Sequence, residues 1–316
     1  MVMSPRAYAE KYQNLDVYLY TDEQAKAANP GQLPPGGTWT AVSVHSYRLG
    51  LKKAHQRPET SIEVFKSKVR PHIDNKGESI TVWVRTIAGD VVSKTYASRW
   101  DLAENVNDPF YGKGSPEEVQ VVLQLAVRYG VFPREKVQIY CDNGNIGLDC
   151  NGFIGNYLRH VHQGLPWDTD ARSKTEKKTE IDANTLIASI MKFGKLTIPV
   201  KAIADIEQFP WNVHLLAMAN EHGHVLDHLK NPDGSTAYGH IMISEPGTQR
   251  MEASPVIPGL APVPDRALGM TVFESAGGVG LVESKYYILS VNKHGAFKIY
   301  RGSKASAMTA IISRLL

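Results

Sequence analysis

Asp149-Cys150-Asn151-Gly152-Phe153-Ile154-Gly155-Asn156-Tyr157-Leu158-Arg159-His160-Val161 is the stretch on which the reading of this chain turns. Taken at 3.6 residues per turn, Cys150, Phe153, Ile154, Tyr157, Leu158 and Val161 form one continuous apolar stripe, so the stretch predicts a helix with Cys150 in its first turn. Asp149 suits the N-cap, and Gly144 and Gly147 suit a tight loop leading into it. A thiol at that place lies beside N–H groups without intrahelical partners and at the positive end of the helix dipole, and both favour thiolate over thiol. The competing reading is packing, because cysteine is among the most often buried residues and Cys150 lies on the apolar stripe. Position at the helix start, and a histidine and an acid downstream, favour chemistry.

Working upstream, Ser115-Pro116-Glu117-Glu118 opens a second helix with a capping box and proline in its first turn, and Gly130 closes it. A loop holding residues 137–140 separates the two helices. Residues 1–36 read as an irregular or weakly helical arm that ends in a turn-rich break at Pro34-Pro35-Gly36-Gly37. Residues 39–47 alternate as a strand, and 79–87 with 91–97 form a hairpin around Ala88-Gly89-Asp90. The Lys/Arg-containing stretch 52–68 reads as solvated surface. Residues 1–110 are thus expected to be a β-rich accessory region.

Downstream, 163–205 is an insertion, polar and charged at first and then carrying a helix at 183–193. Strands are predicted at 211–219, 224–229, 238–244, 270–275, 286–291 and 296–300, with a short terminal helix capped by Ser303. Helices followed by a run of antiparallel strands predict an α+β catalytic domain over 111–316, with helices stacked on one antiparallel sheet.

Composition narrows the function classes. A chain of 316 residues with 42% hydrophobic and 21% charged residues is long enough for a large core. The net charge of +3 is too small to argue for nucleic acid. No apolar run approaches the roughly 20 residues of a membrane span. The opening Met1-Val2-Met3-Ser4-Pro5-Arg6 has no hydrophobic signal core, which points to a cytoplasmic protein or one exported by a leaderless route. Two cysteines, Cys141 and Cys150, are too few for a disulfide scaffold, and a bond between them, which would eliminate the nucleophile, is left open.

A thiolate nucleophile needs a base for its proton and a polar group to orient that base. His240 fits the first role: its strand alternates, so His240, Met242 and Ser244 share one face, and Gly239 leaves room for a close partner. Glu274, on the face of Val272 in a later strand, fits the second, since a carboxylate at the far ring nitrogen fixes the tautomer and stabilises the imidazolium. Singly, His240 reads as an ordinary edge histidine and Glu274 as an exposed strand acid. The order Cys, His, acid on helix, strand, strand gives the trio its weight.

Ala126-Val127-Arg128-Tyr129-Gly130-Val131 followed by Gly147-Leu148-Asp149-Cys150-Asn151-Gly152-Phe153-Ile154 resembles the helix–loop–"DCSGF" signature of the NlpC family of papain-like cell-wall cysteine peptidases. Gly239-His240-Ile241-Met242-Ile243 is similar to that family's "GHVGI" strand. The resemblance covers roughly residues 115–300 and implies a papain-like fold, with Cys150 as nucleophile, His240 as base and Glu274 as orienting group. It also implies the Cys150 N–H in an oxyanion hole, a peptidoglycan peptide as substrate, and no cofactor. Asn151 departs from the family's Ser, and Glu274 from its more usual His, Asn or Gln.

Two alternatives stand beside this reading. The same core serves amidases, deamidases and acyltransferases of the toxin or effector type, acting on proteins or lipids. Glu221-His222-Gly223-His224-Val225-Leu226-Asp227-His228 resembles the His-x-His-x-Asp-His run of zinc hydrolases, with one residue too many before the Asp.

Overall fold

A computed structural model describes residues 2–47, 58–74, 79–96, 106–162, 196–226, 229–230, 236–237, 239–258, 260–262, 264–303 and 307–316. The chain divides into two compact units, one of residues 8–156 with 277–281, the other of 1–7, 157–276 and 282–316. The first is rich in helices; the second is built on a barrel. The helix expected at 183–193 lies outside the described residues.

In the helical unit, β1 (Leu15–Leu19) pairs antiparallel with β2 (Thr38–Val42), and β3 (Ile80–Arg85) with β4 (Val91–Tyr96) around the expected turn. The helix Pro116–Arg128 has the capping box its sequence predicts: the Glu118 N–H donates to Ser115 Oγ (3.2 Å), and Glu118 Oε2 accepts from the Ser115 N–H (2.7 Å). Two buried glutamines on this helix satisfy the edge of β3. Gln124 exchanges hydrogen bonds with the Trp83 N–H and C=O (3.1 and 2.6 Å), and Gln120 does the same with Arg85 (2.7 and 2.8 Å). A strand edge that would otherwise carry unpaired backbone groups is thereby covered.

Three expectations for this unit change. The opening stretch, expected as an irregular or weakly helical arm, is regular: it forms the helix Pro5–Gln13, then β1, and the helix Asp22–Lys26 with a Thr21–Gln24 capping box. Part of the supposed solvated stretch belongs to the helix Pro58–Asp74, which buries Ile62, Phe65 and Val69 at the i, i+3, i+7 spacing of a core-facing stripe. Residues placed in a loop at 137–140 form the short helix Val137–Asp142.

The barrel unit overturns the expected papain-like packing of helices on an open sheet. Its strands are β5 (Thr197–Pro199), β6 (His214–Met218), β7 (Leu229–Lys230), β8 (Thr236–Ala237), β9 (Ile241–Ser244), β10 (Arg250–Ala253), β11 (Arg266–Ala276), β12 (Gly280–Val291), β13 (Phe297–Arg301) and β14 (Ala307–Leu315). Among the described residues, β11, β12, β13, β14, β6 and β9 close into a six-stranded antiparallel ring, with β10 added beside β11 and β5 beside β14. The short β9 makes the closure. It pairs with β6 through Leu216↔Met242 and with β11 through Val272↔Ser244, so the edges of an open sheet disappear. β7 and β8 pair separately.

The expected terminal helix is instead β14, set between β13 and β6. Its residues Ala310 and Ile312 enter the barrel core, with Met308 packed against it. That is a period of two, and the apolar interior of a ring outweighs the helix propensity of alanine and methionine. Met242, Val272, Ile288, Phe297 and Ile299 belong to the same core, each worth roughly 1.5–3 kcal/mol of burial.

The two ends of the barrel differ. At one end the inward faces of β6 and β14 bring His214 opposite Arg314, the guanidinium of Arg314 lies 3.7 Å from the Phe209 ring, and Ile206 of the helix Ile203–Gln208 joins the core. At the other end, reached through the Met218–His240 backbone bond (2.9 Å), Glu274 continues the inward series of Val272, and Tyr286, Met218 and Met308 pack around it on the core.

Candidate active site

Glu274 follows Val272 on the inward face of β11, and the carboxylate is buried at 1% exposure. His240, immediately before β9, holds its Nε2 2.8 Å from Glu274 Oε2, with its side chain 21% exposed. A carboxylate only accepts, so in the neutral ring Nε2 carries the hydrogen and Nδ1 the lone pair. The other oxygen, Oε1, is 2.8 Å from Arg301 Nη2, and the Tyr286 hydroxyl donates to the carboxylate at 3.2–3.3 Å. Arg301 in turn donates to Ser284 Oγ from Nε (3.2 Å) and Nη2 (2.8 Å).

Burial works to raise the Glu274 carboxyl, but the hydrogen bond from His240, the His240 charge, Ser284 and Arg301 outweigh it and hold the group below its ordinary value. Tyr286 is pushed well above its ordinary value by burial and then by Glu274, so it serves as a neutral donor. The alternation of β9 and β11 therefore brings together the two residues it was expected to, His240 and Glu274.

Cys150 belongs to the helical unit and is described there by itself. It opens the helix Cys150–Val161, as expected, at 5% exposure. Asp149 is the N-cap: its Oδ1 accepts from the Gly152 N–H at 2.6 Å, and its own N–H donates to the Gly112 carbonyl (3.0 Å). Lys113 Nζ donates to Asp149 Oδ2 in a buried ion pair. Burial raises the Asp149 carboxyl, and Lys113 with the N–H groups of Gly152 and Asn151 pulls against that rise. Gly152 is required because a Cβ there would lie 1.8 Å from the Gly112 carbonyl oxygen. The Asn156 amide ties the same loop down, donating to the Lys113 carbonyl (2.9 Å) and to the Tyr12 hydroxyl (3.3 Å).

This arrangement amends one expectation. First-turn N–H groups expected to favour a thiolate, those of Asn151 and Gly152, are taken by the Asp149 carboxylate. Both cysteines are free thiols, which settles the question of their pairing. Burial and then Asp142 push Cys141 up to about 12, making it inert.

The stretch behind the zinc alternative is described only in part. His222 and His224 are exposed beside His294, with ring centroids 6.4 and 5.3 Å from His222. No group of three His, Cys, Asp or Glu among the described residues is arranged to hold a metal ion, and Asp227 and His228 lie outside those residues. Nor is any helix among the described residues long and apolar enough to cross a membrane.

Sequence reasoning missed Lys113, Tyr286 and Arg301. Arg301 had a signal: it continues the inward series Phe297, Ile299, and a charged residue in an apolar series needs a partner of opposite sign. Lys113 had none, because an isolated Gly-Lys-Gly gives no hint of a carboxylate far along the chain. Comparison with protein-family models, with curated proteins and with solved structures finds no match for this chain.

Proposed function

We propose that this chain is a cysteine hydrolase of amide bonds, with Cys150 as nucleophile, His240 as base and Glu274 as orienting group. The observation that carries the proposal is the 2.8 Å bond from His240 Nε2 to a buried, anchored carboxylate, which leaves Nδ1 as the basic nitrogen. Cys150 passes its proton to Nδ1 while sulfur adds to the carbonyl carbon, with the Cys150 N–H as an oxyanion donor. The imidazolium then gives that proton to the departing amine, leaving a thioester. Water adds to the thioester, its proton moving through Nδ1 to regenerate the thiol and release the acid. Peptidoglycan stem peptides, the substrate class the resemblance implies, are the first to test, beside simple peptide amides and protein glutamine amides.

The decisive experiment is cross-linking with 1,3-dibromoacetone, whose two reactive carbons bridge a thiol and an imidazole a few ångströms apart. Peptide mapping is expected to find Cys150 joined to His240, and Cys150→Ala is expected to lose both the link and amide hydrolysis. Alkylation of Cys150 without any link to His240 would overturn the proposal. Iodoacetamide at mildly acidic pH is expected to label Cys150 much faster than Cys141; equal rates would argue against an activated thiol.

A further inference from the structure

A carboxylate that orients a catalytic imidazole in a water-poor site raises a difficulty. An unshared negative charge within about 4–6 Å stabilises imidazolium by one to three pH units, which takes the base out of service near neutrality. The Glu274 end of the barrel contains an answer to that difficulty. Glu274 has a partner on each oxygen: the His240 imidazole Nε2 at Oε2 and the permanently cationic Arg301, through Nη2, at Oε1, both at 2.8 Å.

We propose that Arg301 is a positioning residue: by sharing Glu274 with His240 it lets the carboxylate fix the tautomer of the imidazole without locking the ring in its protonated form. This rests on the reading of His240 as the base.

The geometry supports it from each packed element. From β11 comes Glu274, 1% exposed. From β13 comes the cationic guanidinium of Arg301, 12% exposed. From β12 come Tyr286, a neutral donor to the carboxylate, and Ser284, which accepts from Nε and Nη2 of Arg301 and so holds Nη2 beside Oε1. From the segment before β9 comes His240 itself. Glu274 and Arg301 together are close to neutral, so a proton arriving on His240 gains little from the pair, while the directional bond from Nε2–H to Oε2 remains. Without Arg301 the full negative charge of Glu274 would face the imidazole alone.

The test is an NMR titration of the ring signals of His240 in the full chain, with His240→Gln used to identify them among the 11 histidines. Arg301→Met is expected to move the titration midpoint upward by about one pH unit or more relative to the unaltered chain. Arg301→Lys, which keeps the charge, is expected to leave it close to where it was. In all three chains the deprotonated ring is expected to keep its hydrogen on Nε2. On an amide substrate the acid limb of kcat/KM is expected to move with the midpoint, which a merely structural arginine would not cause. An unmoved or lowered midpoint in Arg301→Met overturns the proposal. Should that variant not fold, Arg301→Gln, which can still donate to Ser284, carries the same expectation. A midpoint that moves while dibromoacetone fails to join Cys150 to His240 overturns the hydrolase reading and leaves the Arg301 coupling standing. The cross-link with an unmoved midpoint overturns the Arg301 proposal alone.

Discussion

Asp149 and Glu274 are both buried carboxylates, one at a helix start and one at a barrel end; burial raises both, yet they end on opposite sides of their ordinary values. Asp149 has one lysine and the N–H groups of a helix turn, and burial still raises it. Glu274 has an imidazole, a guanidinium, a phenol and a serine-anchored network, and these overcome burial and lower it. The number and charge of the partners decide the sign. The first carboxylate is a cap that holds a loop and a helix together; the second has the partners of a counterion.

The largest effect expected from this contrast is on activity. Glu274→Gln removes the anion and the tautomer control, and amide hydrolysis is expected to fall by roughly 10³- to 10⁴-fold. An unchanged rate in a folded variant, checked by circular dichroism, would put Glu274 on the same structural footing as Asp149. Lys113→Met leaves Asp149 buried without its cation and is expected to cost about 3–5 kcal/mol in denaturant unfolding. Adding Asp149→Asn is expected to restore most of that loss, and a cost near zero for Lys113→Met would show that the pair does not constrain the fold.

The barrel's other interior imidazole sharpens the comparison further, because it has no carboxylate. Burial, and after it Arg314, lower His214 to about 4, and neither ring nitrogen has a hydrogen-bond partner among the described residues. Between its unfolded value near 6.5 and about 4 the unfolded chain binds the extra proton, so stability is intact above 6.5 and declines as the pH falls, by about 3 kcal/mol in all. Glu274, also lowered but an acid, contributes stability that is lost only below its unfolded value of 4.5. Unfolding measured across pH 4–7 in His214→Asn is expected to lack most of the first decline; the same decline in both chains would assign it elsewhere. The smallest effect is Ser115→Ala, an ordinary cap loss of about 1 kcal/mol, which is the baseline for judging how much more than a cap Asp149 is.

How much was legible follows the range of each signal. The Cys150 helix, its Asp149 cap and the Ser115 capping box were readable because each is written within a few neighbouring residues. The His240–Glu274 pair was readable because strand alternation places Met242 and Val272, and so their companions, on one face. β14 was misread as a helix because alanine and methionine suit helices, and only an apolar ring interior gave Met308, Ala310 and Ile312 a shared face. The helix Pro58–Asp74 was missed because its charged residues drew attention from the stripe of Ile62, Phe65 and Val69.

By itself, the sequence determined where the Ser115- and Asp149-capped helices start, which strand residues share a face, and that a thiol, an imidazole and a carboxylate occur in the order of a nucleophilic trio. Only the tertiary structure decided that β9 joins β6 to β11 and closes a barrel, and that Arg301 and Lys113 meet the two carboxylates. The physical reason is distance along the chain: propensity and periodicity act over one or two turns, whereas ring closure and ion pairing are settled by which remote segments bury each other's backbone edges and charges.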